Sequence, residues 1–478
     1  MGTTVFERHR PPASLVRESL DGSRHSVFWL DDLPPQPSRP PVAGSHTADL
    51  VVVGGGYTGL WTALLAKRRD PGRRVAIVEA RTVGWAASGR NGGFCESSLT
   101  HGRENGQNRW PGEIDQLERL GHENLDAFEA DVAGWGLDAD FERTGTLSVA
   151  TEPHQLEWLD DWAAEAASHG EEVVRLDEAA IQASIASPTY LGAVWDTRAA
   201  ALVHPGKLAA ELARAAEAQG VEIFEHSLVK RIDTAEPGRV KVVTASGEIT
   251  AAQAALATNV FPSLLKRNRL MTVPVYDYAL MTEPLDAAQL DAIGWRDRQG
   301  VSDLANQFHY YRLSADNRIL FGGYAALYHW GRRVRPGYEN NPRVWNELAS
   351  HFFTTFPQLE GLRFSHRWAG AIDTSTRFCA FYGVAREGRI AYASGFTGLG
   401  VGSTRFAGEV MLDFLEGRET ERTQLQMVRE RGLPFPPEPA ASIGIQATRW
   451  SLDQADHREG RRNVLLKTLD ALGLGFDS

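Results

Sequence analysis

The chain of 478 residues is poor in sulfur, with two cysteines, Cys95 and Cys379, and five methionines. Two cysteines make neither a disulfide framework nor a cysteine-rich zinc site, and they suit a reducing compartment. The fourteen histidines are scattered, with no pair at the helical spacing of a metal site, so no metal is expected. No run has the length and apolarity to span a bilayer, and the opening MGTTVFERHRPP is charged and lacks an apolar secretory core. A soluble, cytoplasmic protein without a membrane partner is expected. Basic charge is also scarce, the formal net charge being −11. That argues against a nucleic-acid footprint, while an acidic surface mildly favours cationic ligands.

Glycine is plentiful, at 46 residues, and its placement is informative. In ADLVVVGGGYTGLWTALLAKRR, Gly54, Gly56 and Gly59 sit between a strand-like run and a helix opened by Tyr57 and Thr58. The first glycine permits a tight turn, the second lets main chain approach a pyrophosphate, and the third lets the helix lie close to the sheet. The helix N-terminus then offers unpaired N–H groups and a positive dipole end to phosphate. Glu79, at the end of RRVAIVEA, has the spacing of the acid that binds ribose hydroxyls, and its charge disfavours a 2′-phosphate. A second strand, turn and helix occurs late, in RIAYASGFTGLGVGSTRFAGEVMLDFLEG, with the helix expected to run to about Glu416.

Between Arg81 and Gly93 the chain reads RTVGWAASGRNGG, a loop of small residues where a nicotinamide-binding unit would continue into another helix. VVVGGGYTGL, VEA and WAASGRNGG together resemble the D-amino acid oxidase-like superfamily of FAD-dependent oxidoreductases, in particular the gamma-glutamylputrescine oxidase-like branch. The N-terminal FWLDDLP and terminal GLGFDS extend that resemblance over nearly the whole chain. It implies FAD contacts at Gly54, Gly56, Tyr57, Thr58, Gly59, Glu79, Ala80 and Arg81, and in the loop at Ser88, Gly89, Arg90, Asn91, Gly92 and Gly93. It further implies adenine contact at the Val229 backbone, an ATN element at Thr258 and Asn259, and a late helix that aims Gly398, Leu399, Gly400 and Thr404 at the pyrimidine side of the flavin. There a helix N-terminus stabilises negative charge on the reduced ring. Gly370 stands where some sarcosine oxidase relatives attach flavin through cysteine, so noncovalent FAD is expected, with linkage through Cys95 or His101 left open. RILFGG has no lysine where those relatives use one to activate oxygen.

The expected fold is α/β, a Rossmann-type FAD-binding domain interleaved with an α+β substrate domain built on an antiparallel sheet. Residues 1–46 read as an extended, Pro-rich arm pinned by Phe28 and Trp29. The FAD-binding domain is expected in three pieces, 47–105, 195–269 and 364–420, and the substrate domain in two, 106–194 and 270–363. Residues 421–478 read as a Pro-rich crossing and a helix.

There is no second G-x-G-x-x-G for a nicotinamide reductant, so direct reduction of the flavin by an organic substrate is expected. The expected reaction is oxidation of a primary or secondary amine or an amino acid, polyamine-like or N-substituted, by hydride transfer to flavin N5. The imine hydrolyses to an aldehyde or oxo acid, and oxygen is reduced to peroxide. Oxidase is the first expectation and dehydrogenase the second. A flavin monooxygenase served by an external reductase and a flavin-binding partner subunit are the alternatives. The aromatic load of the second interruption, with Tyr276 and Tyr324, and the element HRWAGAIDTSTRFCAFYG, with Trp368 and Asp373, supply the candidates for the substrate pocket. Asp373 is equally open to reading as a turn or cap aspartate.

Overall fold

A computed structural model describes residues 2–169 and 172–475. Phe476, Asp477 and Ser478, the end of the GLGFDS motif, lie outside the described residues. Among the described residues, two large sheets organise the molecule. The first has eight strands, and along its main path Phe381–Ala385, Ile390–Ser394, Gly247–Leu256, Gly44–Val53, Val75–Val78 and Glu222–Phe224 lie side by side. All but the Phe381–Ala385 edge strand pair parallel on this path. Covered on both faces, its central strand is apolar without alternation, and Leu50, Val51, Val52 and Val53 are all buried.

Two helices lie against this sheet side by side, Tyr57–Arg69 and Gly400–Leu415. Gly408 makes the approach close, since a Cβ there would meet Thr62 N at 3.2 Å and Leu65 Cδ1 at 3.1 Å. Arg69, in the last turn of the first, pairs with Asp413 (2.8 Å) and Glu416 (2.9 Å) at the end of the second. The helices therefore run parallel, and both N-termini emerge at the same place.

The second sheet has nine strands and is antiparallel apart from one pair, Gly300–Asp303 beside Thr146–Ala150. Its longest partnership joins Thr272–Thr282 to Phe364–Ser375. One face of this sheet, with Tyr276, Tyr278 and Leu280, packs under the helix Pro342–Thr355. The turn at Ala315 to Asn317 closes the expected hairpin between His309–Leu313 and Ile319–Gly323.

Several expected boundaries shift. The piece 364–420 is divided between the sheets, because Phe364–Ser375 pairs with the nine-stranded sheet before the chain returns to the eight-stranded one. The joint at 194/195 falls inside the Gly192–Asp196 strand of the second sheet, and that at 105/106 inside the Arg103–Arg109 helix. Residues 1–46 are not simply an extended arm. They include the helices Val5–Arg8, Ala13–Leu20 and Phe28–Asp31, held by buried Val5, Phe6, Val16, Leu20, Phe28 and Trp29. The prolines confine irregular backbone to the stretch that follows. At the other end the Pro-rich crossing leads to two helices rather than one, Ala440–Asp456 and Val464–Ala471.

Candidate active site

A cavity of about 1480 Å³ runs from the glycine turn of the first sheet to the face of the second. Pockets for drug-sized ligands occupy roughly 300–1,000 Å³, so this one has room for a dinucleotide and a substrate together. Most of its lining is apolar.

Main chain dominates the wall on the side of the eight-stranded sheet. Gly54, at φ 115°, turns the chain where a Cβ would lie 2.3 Å from Ala257 O. Gly56 caps the Tyr57–Arg69 helix, and the Ser88 hydroxyl accepts from Tyr57 N at 3.0 Å. Tyr57, Thr58, Ala80, Arg81, Val229 and Thr258 line the cavity around this turn. Glu79 is buried beside it and accepts from Gly55 N (2.7 Å), Arg81 N (2.8 Å) and Trp85 Nε1 (2.8 Å). A carboxylate has about four acceptor positions, so one remains for a ligand hydroxyl. Gly398, Leu399, Gly400 and Thr404 line the cavity at the start of the second parallel helix. Two helix dipoles thus present their positive ends to one space.

The loop residues Ser88, Arg90, Asn91 and Gly92 also face the cavity. Three of the glycines do not, and each admits close backbone packing instead. A Cβ on Gly59 would lie 1.9 Å from Gly54 O, one on Gly89 2.4 Å from Gly84 O, and one on Gly93 2.3 Å from Val203 O. The loop is fastened from behind by two tryptophans, Trp29 Nε1 donating to Asn91 O (3.0 Å) and Trp368 Nε1 to Arg90 O (2.8 Å).

These residues suit a bound dinucleotide. Glycines admit its backbone contacts, two helix N-termini meet its charge, and Asn259 Oδ1, buried at the cavity, has no hydrogen-bond partner of its own. His101 lines the cavity, whereas Cys95 is fully buried on the Phe94–Glu96 strand and does not reach it. Gly370, at the expected attachment position of some relatives, is also on the lining.

Side chains dominate the opposite wall. Alternation along Thr272–Thr282 sends Val273, Val275, Asp277 and Ala279 to the cavity. Tyr276, expected in the pocket, lies on the other face and receives Arg335 N at its hydroxyl (2.9 Å). The residue beside it was not anticipated. Asp277 accepts from the Tyr310 hydroxyl (2.5 Å), and burial pushes its carboxyl up to about 6 against the help of that bond and of the Gly323 N–H. Its signal was visible as the one charged residue of the strand.

Asp373 lines the cavity too, but its carboxylate accepts from Gly395 N (2.5 Å) and from the Asn259 side chain, tying the strand to the late glycine turn. Burial raises its pKa to about 7. Glu96, likewise on the lining, is raised to about 7 by the same cause. Tyr324 reaches the cavity from a left-handed backbone position, φ 61°, with its ring stacked on His309 at 5.1 Å. Trp368 completes the wall.

A glycine-turn nucleotide unit and a substrate sheet that share one cavity define a dinucleotide-dependent oxidoreductase. The chain belongs to the FAD dependent oxidoreductase family, whose model matches residues 49–414. It is similar to gamma-glutamylputrescine oxidoreductase of Escherichia coli (31% identity, spanning 78% of this chain and 84% of that protein). Glycine oxidase of Bacillus licheniformis is 24% identical over 77% of this chain and 93% of its own length. Among solved structures, glycine oxidase from Geobacillus kaustophilus superposes with a TM-score of 0.66 at 22% identity, over 81% of this chain and all of that one. The expected family, enzyme class and FAD dependence are thereby established. No helix among the described residues is long and apolar enough to cross a membrane.

Proposed function

We propose that the protein oxidises a primary or secondary amine, or an amino acid, at the carbon beside nitrogen, giving an imine that water hydrolyses to an aldehyde or oxo acid while oxygen becomes hydrogen peroxide. The observation that carries this reading is Asp277, an acid on the sheet face of the cavity, opposite the wall that suits FAD. The relatives' names support amines and amino acids as the substrate class.

Bound FAD supplies the two-electron acceptor for hydride from that carbon. Gly54, Gly56, Tyr57 and Thr58 would hold its phosphates, Glu79 would take a ribose hydroxyl, and Asn259, Gly398, Gly400 and Thr404 would lie towards the ring. We take the attachment to be noncovalent; of the two residues left open for a linkage, Cys95 is out of reach and His101 is on the lining. Asp277, ionised above about pH 6, draws the ammonium form into the cavity, and the apolar walls lower the bound amine's pKa so that its lone pair becomes available. Asp373 keeps the glycine turn in place. Buried free thiols at Cys95 and Cys379 suit a reducing cytoplasm, where we place the reaction.

The test is stopped-flow anaerobic bleaching of the flavin by polyamines, N-methyl amino acids, aminophosphonates and amino acids across pH. Bleaching by at least one amine, faster as pH rises, is expected. Bleaching only by a nicotinamide reductant would overturn the reading. Acid or heat should release the FAD, and flavin retained by precipitated protein would refute noncovalent attachment.

A further inference from the structure

The short strand Phe94–Glu96 pairs antiparallel with Ala200–Leu202, and its alternation buries Cys95 while Phe94 and Glu96 face the cavity. Glu96 stands opposite Ala200, whose carbonyl accepts from Gly145 N (3.0 Å), one residue before Thr146. Phe94 leans on Gly300, where a Cβ would lie 2.4 Å from its ring. Gly300 is itself opposite Thr146, and two residues further along the same pair Ser302 and Ser148 lie side by side on the same face. Glu96, Ser97, Thr146, Ser148 and Ser302 thus border one lobe of the cavity.

Among the described residues, no hydrogen bond or ion pair engages the Glu96 carboxylate or the four hydroxyls, although Ser97 and Ser148 are only 8% and 7% exposed. The other carboxylates on the lining are all engaged. Glu79 accepts from three N–H groups, Asp277 from Tyr310, Asp303 from His309 (2.6 Å) and Asp373 from Gly395 N. A buried carboxylate without a partner is costly, and a cation that completes it removes that cost. An ammonium group carries three donors, enough for the carboxylate and two of the hydroxyls. The lobe is joined to Asp277 by aromatic rings, since Phe94 meets Tyr310 edge-on at 5.8 Å and Tyr310 donates to Asp277. Two acids on one cavity are therefore separated by an apolar stretch.

We propose that the lobe at Glu96 binds a second ammonium group of the substrate, so that the enzyme selects amines in which an alkyl chain separates two cationic nitrogens. The proposal rests on the amine-oxidation reading above. Asp277 draws in the nitrogen whose neighbouring carbon is oxidised, Glu96 and the hydroxyls hold the far nitrogen, and the chain between them lies against Phe94 and Tyr310.

The dithionite-reduced holoenzyme, which cannot take hydride, is titrated anaerobically by calorimetry at about pH 8, above the pKa of Glu96. The ligands are α,ω-diaminoalkanes from diaminopropane to diaminododecane and the monoamine of each length. Affinity should peak at one diamine length and there exceed that of the matching monoamine by about 10-fold or more. Glu96→Gln should remove most of that advantage while monoamine affinity changes by less than about 3-fold. Half-saturation in anaerobic reduction of the oxidised flavin should follow the same order. Diamines no tighter than monoamines at any length, or an advantage that survives Glu96→Gln, overturns the proposal. So does tighter binding of an amino alcohol than of the diamine of equal length. If no amine reduces the wild-type flavin, the amine-oxidation reading falls, and the calorimetry alone decides the fate of the lobe. A thermal melt shows whether each variant is folded. Should the glutamine variant collapse, Glu96→Asp, with its charge on a shorter arm, should keep the peak and move it to a longer diamine.

Discussion

The two walls of the cavity are built on different principles. On the eight-stranded side the recognition groups are backbone amides, set out by glycines and by two parallel helices clamped at their far ends through Arg69. On the nine-stranded side they are side chains, chosen by which residues of a strand face inward. The first wall tolerates little change in volume. The second tolerates changes of volume but depends on single ionisable groups.

The largest effect is expected from Gly59→Ala. Its Cβ would fall 1.9 Å from a backbone oxygen, so strand and helix must separate, costing about 3 kcal/mol or more. Purified variant protein should be largely free of flavin and melt well below wild type; a yellow protein of normal stability would show that the backbone wall is softer than described. Glu79→Gln comes next. Three N–H donors converge on this carboxylate, and an amide nitrogen cannot accept from any of them. FAD affinity should fall by about 10- to 100-fold, read by titration of apoprotein.

Asp277→Asn probes the other wall and should leave FAD affinity unchanged. The catalytic efficiency toward amines should drop by about 10-fold or more, and the limb of the pH profile near 6 should vanish. Stability should move the opposite way. Because the folded carboxyl is raised to about 6, above its unfolded value, the wild type loses stability as pH rises from about 4 to 6, by about 3 kcal/mol. The asparagine variant escapes that loss, so its melting temperature should exceed wild type at about pH 8 and converge with it at about pH 4. Tyr276→Phe, one residue away on the opposite face, should change turnover less than about 2-fold and cost only the hydrogen bond from Arg335, about 1 kcal/mol. A large kinetic effect there would invert the assignment of the two faces.

That contrast also explains which parts were legible in advance. Gly54, Gly56, Glu79 and the late Gly398–Gly400 turn could be read because backbone geometry constrains residue type directly, and glycine records the constraint. Tyr276 was expected in the pocket, whereas Asp277 was not singled out. Both faces of Thr272–Thr282 carry large or polar residues, and only pairing with Phe364–Ser375 fixes which face meets the cavity. Asp373 was read as either pocket acid or cap, and its bond to Gly395 N places it in the supporting frame. The N-terminal helices escaped notice because each is short and depends on partners distant in the chain for burial.

The cavity draws on segments far apart in the sequence. Trp29 braces the loop that begins at Arg81, and residues 433–436 and the Ala440–Asp456 helix form part of the wall. A chain emerging from the ribosome therefore displays its glycine turn, with one of the two helix N-termini, long before the container around it exists. The second helix, starting at Gly400, is made much later, and the wall formed by the Ala440–Asp456 helix later still. Translation at about 5–20 residues per second separates the first of these events from the last by tens of seconds. A complete cavity thus forms only after the segments bearing Trp29 and the Ala440–Asp456 helix have both been made.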